Sequence, residues 1–256
     1  MLEKFRAAQA PAIRRLKELE ATERLPLPYA GKRPPFSDAL LAGAPVAIVA
    51  EYKRASPSAG DINLGRTPED IAALYAASGA AAISVLTEET YFKGSLDYLE
   101  TMSAAGLPLL RKDFLLHPLQ VVETAATKAS ALLLIVRMLT DEELSEMLRL
   151  TYDAGLEAVV EVFDEADLAR AEAAGARIIQ VNSRDLDRLT TDLGVARRMA
   201  AKKRPGRIWI AASGITARAD VLNMASLGYN AVLVGTSLMR EDDPGLALAR
   251  LAGKAA

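Results

Sequence analysis

Three ionisable side chains, Glu51, Lys112 and Glu161, each close an otherwise apolar run. Lys53 follows Glu51 by two residues, so in extended backbone both lie on one side. Asn182 closes a fourth run. Carboxylates and amines brought into one confined pocket perturb each other and can exchange protons near neutral pH, which is general acid–base chemistry. Singly, each also has a structural reading, since a carboxylate such as Glu51 serves equally in a salt bridge. Arg111, Lys112 and Asp113 are consecutive. One of these charges is expected to face helices in an ion pair, and alternation does not say which. Two small pairs, Ser213-Gly214 and Gly235-Thr236, suggest a different task. Where side chains are small, backbone amides can approach a phosphate closely. Arg184 either adds a charged donor there or pairs with Asp185 or Asp187.

Positioning these groups together requires a particular scaffold. Apolar runs cover 46–51, 81–86, 108–112, 131–136, 157–161, 178–182, 208–213 and 231–234. Runs of this kind between helical segments read as strands buried on both faces of a parallel sheet. Eight of them in 256 residues predict a single α/β domain, a (β/α)8 barrel, whose strand C-termini meet at one mouth. Loops after the seventh and eighth strands are the usual phosphate cradle of such barrels. Helix punctuation agrees. Thr67-Pro68 and Thr140 open helical patterns as caps, and Asp243-Pro244 repeats the signal before the last helix. Glycines such as Gly79 and Gly155 close helices just before the next run.

Residues 1–45 precede the barrel, which takes 46–256. The segment 3–20 has helical composition, and 25–36, with Pro26, Pro28, Pro34 and Pro35, reads as an extended connector. The extension either plugs the bottom of the barrel or forms a flap at its mouth.

Composition excludes several classes. A formal net charge of −2 argues against a general nucleic-acid binder. With no cysteine, disulfides, thiolate metal sites and cysteine nucleophiles are ruled out. No secretion signal or membrane-spanning stretch is expected, so the cytoplasm is the expected compartment. His117, before Pro118, reads as a helix entry, and Trp209 as packing. Phe92 and Leu86 form either an apolar wall or core. The run from Arg240 to Asp243 reads as a solvated turn. No spacing matches a metal site, a G-x-G-x-x-G or a P-loop.

The segments AEYKRASPSAG, AAISVLTEETYFKGSLDYL, LPLLRKDF, GLEAVVEV, VNSRDL, SGIT and LVGTSLM together resemble the indole-3-glycerol phosphate synthase family. The resemblance runs over almost the whole chain, in the family's order. It implies ring closure of 1-(2-carboxyphenylamino)-1-deoxyribulose 5-phosphate to indole-3-glycerol phosphate, with loss of carbon dioxide and water. No cofactor or metal is implied; the expected partner is a small phosphorylated substrate, with no nucleic acid or membrane, and the expected state is a monomer or weak homo-oligomer. Lys112 would be the general acid of ring closure. Glu51 and Glu161 would be the acid/base residues of the later steps. Lys53 would hold substrate charge, and Asn182 would orient the reacting groups. Ser56 would bind the anthranilate carboxylate. Arg184, Ser213, Gly214, Gly235 and Thr236 would hold the phosphate, while Phe92, Leu133 and Leu186 would pack on the aromatic ring. The family's N-terminal extension helps to cover the site.

Two positions depart from the family pattern. Ala212 stands where the family has an active-site Glu before Ser-Gly, and Ala59 replaces a residue that is often Lys or Gly. Ala212 supports a second reading, a catalytically impaired homologue or engineered scaffold. A phosphoribosylanthranilate isomerase on the same barrel would need a cysteine near the first strand, and the chain has none.

Overall fold

Apolar runs too short for buried helices become strands here, because each is covered on both faces. The computed structural model describes residues 1–43, 45–185 and 190–254. Eight strands form a closed barrel: β1 (Ala47–Tyr52), β2 (Ala82–Leu86), β3 (Leu109–Lys112), β4 (Ala131–Ile135), β5 (Glu157–Val162), β6 (Ile178–Asn182), β7 (Ile208–Ala212) and β8 (Ala231–Val234). Each pairs in parallel with its sequence neighbours, and β1 closes the ring against β8 with Ala47 opposite Ala231. All of β1, β2, β4, β6 and β8 is buried, which is why these strands lack polar alternation.

Two runs end earlier than the sequence suggests. β7 stops at Ala212, because Ser213 takes φ +70°, outside the extended region. β4 stops at Ile135, and Val136–Met138 forms a 3₁₀ turn. That turn carries Arg137 outward, where its Nε lies 2.7 Å from Asp167.

Two apolar layers follow from the barrel. Val49, Leu110, Leu133, Val159 and Ile210 fill the interior, and Ile48, Leu132, Val160, Ile179 and Trp209 pack outward with the helices. The caps form as the side-chain chemistry requires. Thr140 accepts from the Glu143 amide, and Glu143 returns a bond to the Thr140 amide. Thr67 and Asp243 accept from the amides of Asp70 and Leu246. His117 enters the helix Pro118–Ala125, with Nδ1 accepting from the Leu119 amide. Gly79 ends the helix Pro68–Ser78 at φ +95°, a conformation that L side chains rarely adopt.

The N-terminal extension serves both ends of the barrel. Helix α1 (Leu2–Ala21) brings Met1 and Phe5 to the mouth. Helix α2 (Phe36–Ala42) buries Phe36 and Leu40 against Ala47, Ile178 and Ala231, at the N-terminal ends of β1, β6 and β8. Glu157, the first residue of β5, accepts from the Phe36 amide at 2.6 Å and the Ser37 amide at 3.0 Å. It thereby satisfies donors that a helix start leaves open. The connector between α1 and α2 is irregular and pinned along the barrel wall. The Tyr29 amide donates to Ala125 O, and Arg33 donates to the carbonyls of Ala125 and Thr127. The prolines of the connector suit this path, since they have no amide hydrogen to satisfy.

Candidate active site

A cavity of about 410 Å³ opens at the C-terminal ends of the strands. Glu51, Lys53, Lys112, Glu161 and Asn182 all line it, as do Ser56, Phe92, Leu133, Arg184, Ser213, Gly214, Gly235 and Thr236. Leu186, expected on the aromatic ring, and Asp187, a possible partner of Arg184, lie outside the described residues.

Glu51 is the electrostatic centre. It is 3 % exposed, with Oε2 at 2.7 Å from Lys53 Nζ and Oε1 at 3.7 Å from Lys112 Nζ. Burial pushes its carboxyl up, but Lys53, Lys112 and Arg184 outweigh burial and hold it below its ordinary value. The carboxylate is therefore ionised between two cations. Gly235 makes this position possible: a Cβ there would come within 2.9 Å of Glu51 Cδ. The close approach belongs to Glu51, so Gly235 serves this carboxylate.

The pleat settles which charge of 111–113 enters the mouth. Lys112 points inward, while Arg111 is buried among helices, 2.9 Å from Glu123 and 3.3 Å from Asp113. Asp113 also accepts from Thr87 Oγ1 at 2.6 Å and from Gln9 Nε2 at 2.9 Å. Gln9 lies on α1 and accepts in turn from Gln120 Nε2 at 2.8 Å. A buried polar chain thus connects the covering helix to the residue after Lys112. Sequence reasoning missed Gln9. A polar residue on an amphipathic helix looks solvated until its facing partner is known.

Glu161 is 2 % exposed, and its Oε2 accepts from Gln180 Nε2 at 2.5 Å. Asn182 Oδ1 accepts from the Arg184 amide at 3.0 Å and from Ser213 Oγ at 2.9 Å. Those bonds commit Oδ1. Among the described residues Nδ2 has no protein partner, which leaves a donor at the pocket wall. Ser213 and Gly214 both take positive φ, +70° and +86°. Successive residues of this kind turn the chain sharply, and such strain concentrates at functional sites. Ser237 Oγ donates to Ile215 O at 3.0 Å, tying the loop after β8 to the loop after β7. Arg184 Nη1 donates to Ser58 Oγ at 3.2 Å, linking the loop after β6 to the one after β1. Ser56 Oγ accepts from the Ala59 amide at 3.2 Å within the small hairpin of Ala55–Ser56 and Gly60–Asp61.

One wall is aromatic. Phe5 stacks on Phe114 with centroids 4.0 Å apart, and Phe92 lies tilted 6.0 Å from Phe114. Phe92 is held by Glu88, a buried carboxylate that accepts from the amides of Thr90, Tyr91 and Phe92. Phe5, Phe114 and Glu88 were not singled out in the sequence. Aromatic residues on a helix and after a strand read there as ordinary core. Among the described residues no cluster of histidine or carboxylates could hold a metal ion, and no helix is long and apolar enough to cross a membrane.

Together these features define a (β/α)8-barrel enzyme with acid–base groups gathered at the strand C-termini. The family model for indole-3-glycerol phosphate synthase matches residues 2–251. An indole-3-glycerol phosphate synthase of Carboxydothermus hydrogenoformans is 42 % identical over 241 residues, covering 92 % of this chain and 89 % of the relative. One of Desulfosudis oleivorans is 48 % identical over 197 residues, 77 % of this chain and 75 % of that protein. The chain belongs to the indole-3-glycerol phosphate synthase family. Among solved structures, a 3-hexulose-6-phosphate synthase superposes with a TM-score of 0.64 at 16 % identity, over 82 % of this chain and all of that one. At that identity the likeness concerns the fold alone.

Proposed function

We propose that this protein closes the indole ring of 1-(2-carboxyphenylamino)-1-deoxyribulose 5-phosphate, releasing carbon dioxide, water and indole-3-glycerol phosphate. Family membership over almost the whole chain carries the reading. Support comes from the convergence of Glu51, Lys53, Lys112, Glu161 and Asn182 on one cavity.

The substrate phosphate lies against Ser213, Gly214, Gly235 and Thr236, with Arg184 adding charge. The anthranilate ring lies toward Phe92 and Leu133, with its carboxylate at Ser56. Lys53 balances substrate charge from its place beside Glu51. Lys112 donates a proton to the ketone oxygen of the ribulose chain. The ring carbon bearing the carboxylate attacks the carbonyl carbon, and a C–C bond forms. Loss of carbon dioxide leaves its electron pair in the ring and restores aromaticity. Glu51 and Glu161 then serve proton removal and protonation of the hydroxyl, which departs as water as the pyrrole double bond forms. Asn182 Nδ2 orients the reacting chain.

The family resemblance implies no cofactor, and the reading includes none. It places the protein in the cytoplasm, in tryptophan biosynthesis, as a monomer or weak homo-oligomer without nucleic-acid or membrane partners. Mixing purified protein with the substrate and following indole fluorescence tests it. Stoichiometric release of carbon dioxide with the fluorescent product is expected, and no product at any pH would overturn the reading.

A further inference from the structure

Gln180 interrupts the apolar sequence of β6 and is fully buried. It lies two residues before Asn182, so both side chains face the barrel interior, with Gln180 one layer deeper. Across the sheet it is the register partner of Glu161. Neighbouring strands therefore present an amide and a carboxylate side by side, and Nε2 meets Oε2 at 2.5 Å. Nearby interior positions are apolar, including Val159, Ile178 and Ile210.

Two atoms of this pair have no partner among the described residues. Gln180 Oε1 is buried without a hydrogen bond. Glu161 Oε1 makes none either, and Glu161 lines the cavity. An unpaired buried amide oxygen is costly, and an apolar side chain of the same length would avoid the cost. Core packing therefore does not account for glutamine at this position. The division of the carboxylate does: Oε2 is fixed to the barrel wall, and Oε1 is left for chemistry.

We propose that Gln180 is a positioning residue for Glu161 and serves it in both protonation states. This rests on the acid–base role given to Glu161 above. When Glu161 is ionised, Gln180 Nε2–H donates to it. When Glu161 holds a proton, rotation of the amide by half a turn presents Oε1 as the acceptor for that O–H. Glutamine carries both a donor and an acceptor, so a single side chain can do both. The currently unpaired Oε1 is the acceptor held in reserve. The carboxyl group keeps its place as its proton comes and goes, which a residue that takes up or gives up a proton during turnover requires.

The test is Gln180→Met, which keeps length and removes both polar atoms. In Gln180→Met, kcat is expected to fall about 10- to 100-fold, the range that a hydrogen bond to a charged group supplies. KM and inhibition by inorganic phosphate stay within twofold, because Gln180 bonds to Glu161 and to none of the residues given to the phosphate. The acidic limb of the kcat profile moves to higher pH, since the carboxylate loses its donor. In a Glu161→Gln background the same change has little further effect, as coupled residues demand. Unchanged kcat and pH profile in folded Gln180→Met would overturn the proposal, and so would an equal loss in the Glu161→Gln background. If Gln180→Met fails to fold, Gln180→Glu replaces it. Two carboxyls would then share one proton, and the limb must move up; an unmoved limb overturns the proposal. Turnover by the unaltered protein, measured alongside, separates failure of this inference from failure of the reaction assignment.

Discussion

Gly235 and Glu51 meet in one space: a Cβ on Gly235 would lie 2.9 Å from Glu51 Cδ and 3.0 Å from its Cβ. Gly235 does not take a positive φ, so the restriction argued here is the close approach itself. Gly235→Ala is expected to push Glu51 off Lys53 and Lys112. A misplacement of about 1 Å can cost 10²-fold in rate, so kcat should fall by that order with KM little changed. Steady-state kinetics decide it. A raised KM at unchanged kcat would show that Gly235 serves the phosphate alone.

Lys112→Ala removes the proposed acid of ring closure. The side chain is 19 % exposed at the mouth, so its loss leaves the core intact. General acid removal costs about 10²–10⁴-fold in kcat. Unchanged kcat in folded Lys112→Ala protein would refute the role.

The Glu51 carboxyl gives a pH dependence with a definite sign. Its folded value lies below the ordinary 4.5, so its ion pairs stabilise the fold fully above that value. The contribution is lost as pH falls through the folded value. Lys53→Met removes the nearest cation from a buried carboxylate whose partner is itself half-buried. Lys112 remains beside Glu51, so the loss falls below the ~3–5 kcal/mol of a fully buried pair. The stability gap between the unaltered protein and Lys53→Met should therefore be widest above pH 4.5 and narrow on acidification below it. Urea unfolding at a series of pH values measures the gap; a gap independent of pH would contradict the assignment.

Much of this was legible in the sequence. All eight strands announce themselves, because burial on both faces leaves little room for polar residues, and Glu51, Lys112, Glu161 and Asn182 stand where their runs stop. Other features depend on facts that a linear chain does not carry. Whether Arg111 or Lys112 faces the pocket depends on pleat phase, which the consecutive charges conceal. The extension was legible as helix plus connector, yet its two ends go to opposite faces of the barrel. That path is set by Glu157 and Asp113, residues more than 100 positions away that satisfy α2 and Gln9. Gln180 is hidden for the same reason: only the register with β5 reveals its partner.

Gln9 offers a way to detach the cover from the site. Gln9→Leu leaves Asp113 and Gln120 each without one buried hydrogen bond. Such loss costs about 1–3 kcal/mol per unsatisfied group. Hydrogen exchange in α1 should quicken while the barrel strands stay protected, and KM should rise severalfold as the Phe5 wall loosens. Protection in α1 equal to that of the unaltered protein would mean that the ion pair of Arg15, on α1, with Glu123 and the Phe5 stack suffice to hold it.

Ala212 bears on rate more directly. It ends β7, lines the cavity and stands opposite Asn182 and Leu233 in the sheet. Its methyl group sits where the family pattern places a carboxylate, so one acceptor and one negative charge are missing beside Asn182. The loops proposed to hold the phosphate begin only at Ser213, and their tie through Ser237 and Ile215 does not involve residue 212. Ala212→Glu should therefore leave KM and inhibition by inorganic phosphate nearly unchanged. A carboxylate that acts only in the transition state raises kcat and kcat/KM together. A gain of about 10-fold or more is expected if it adds a proton-transfer group. An equal or lower kcat would mean that Glu51, Lys112 and Glu161 already supply the acid–base chemistry this barrel uses, and that alanine at 212 is a tolerated variation.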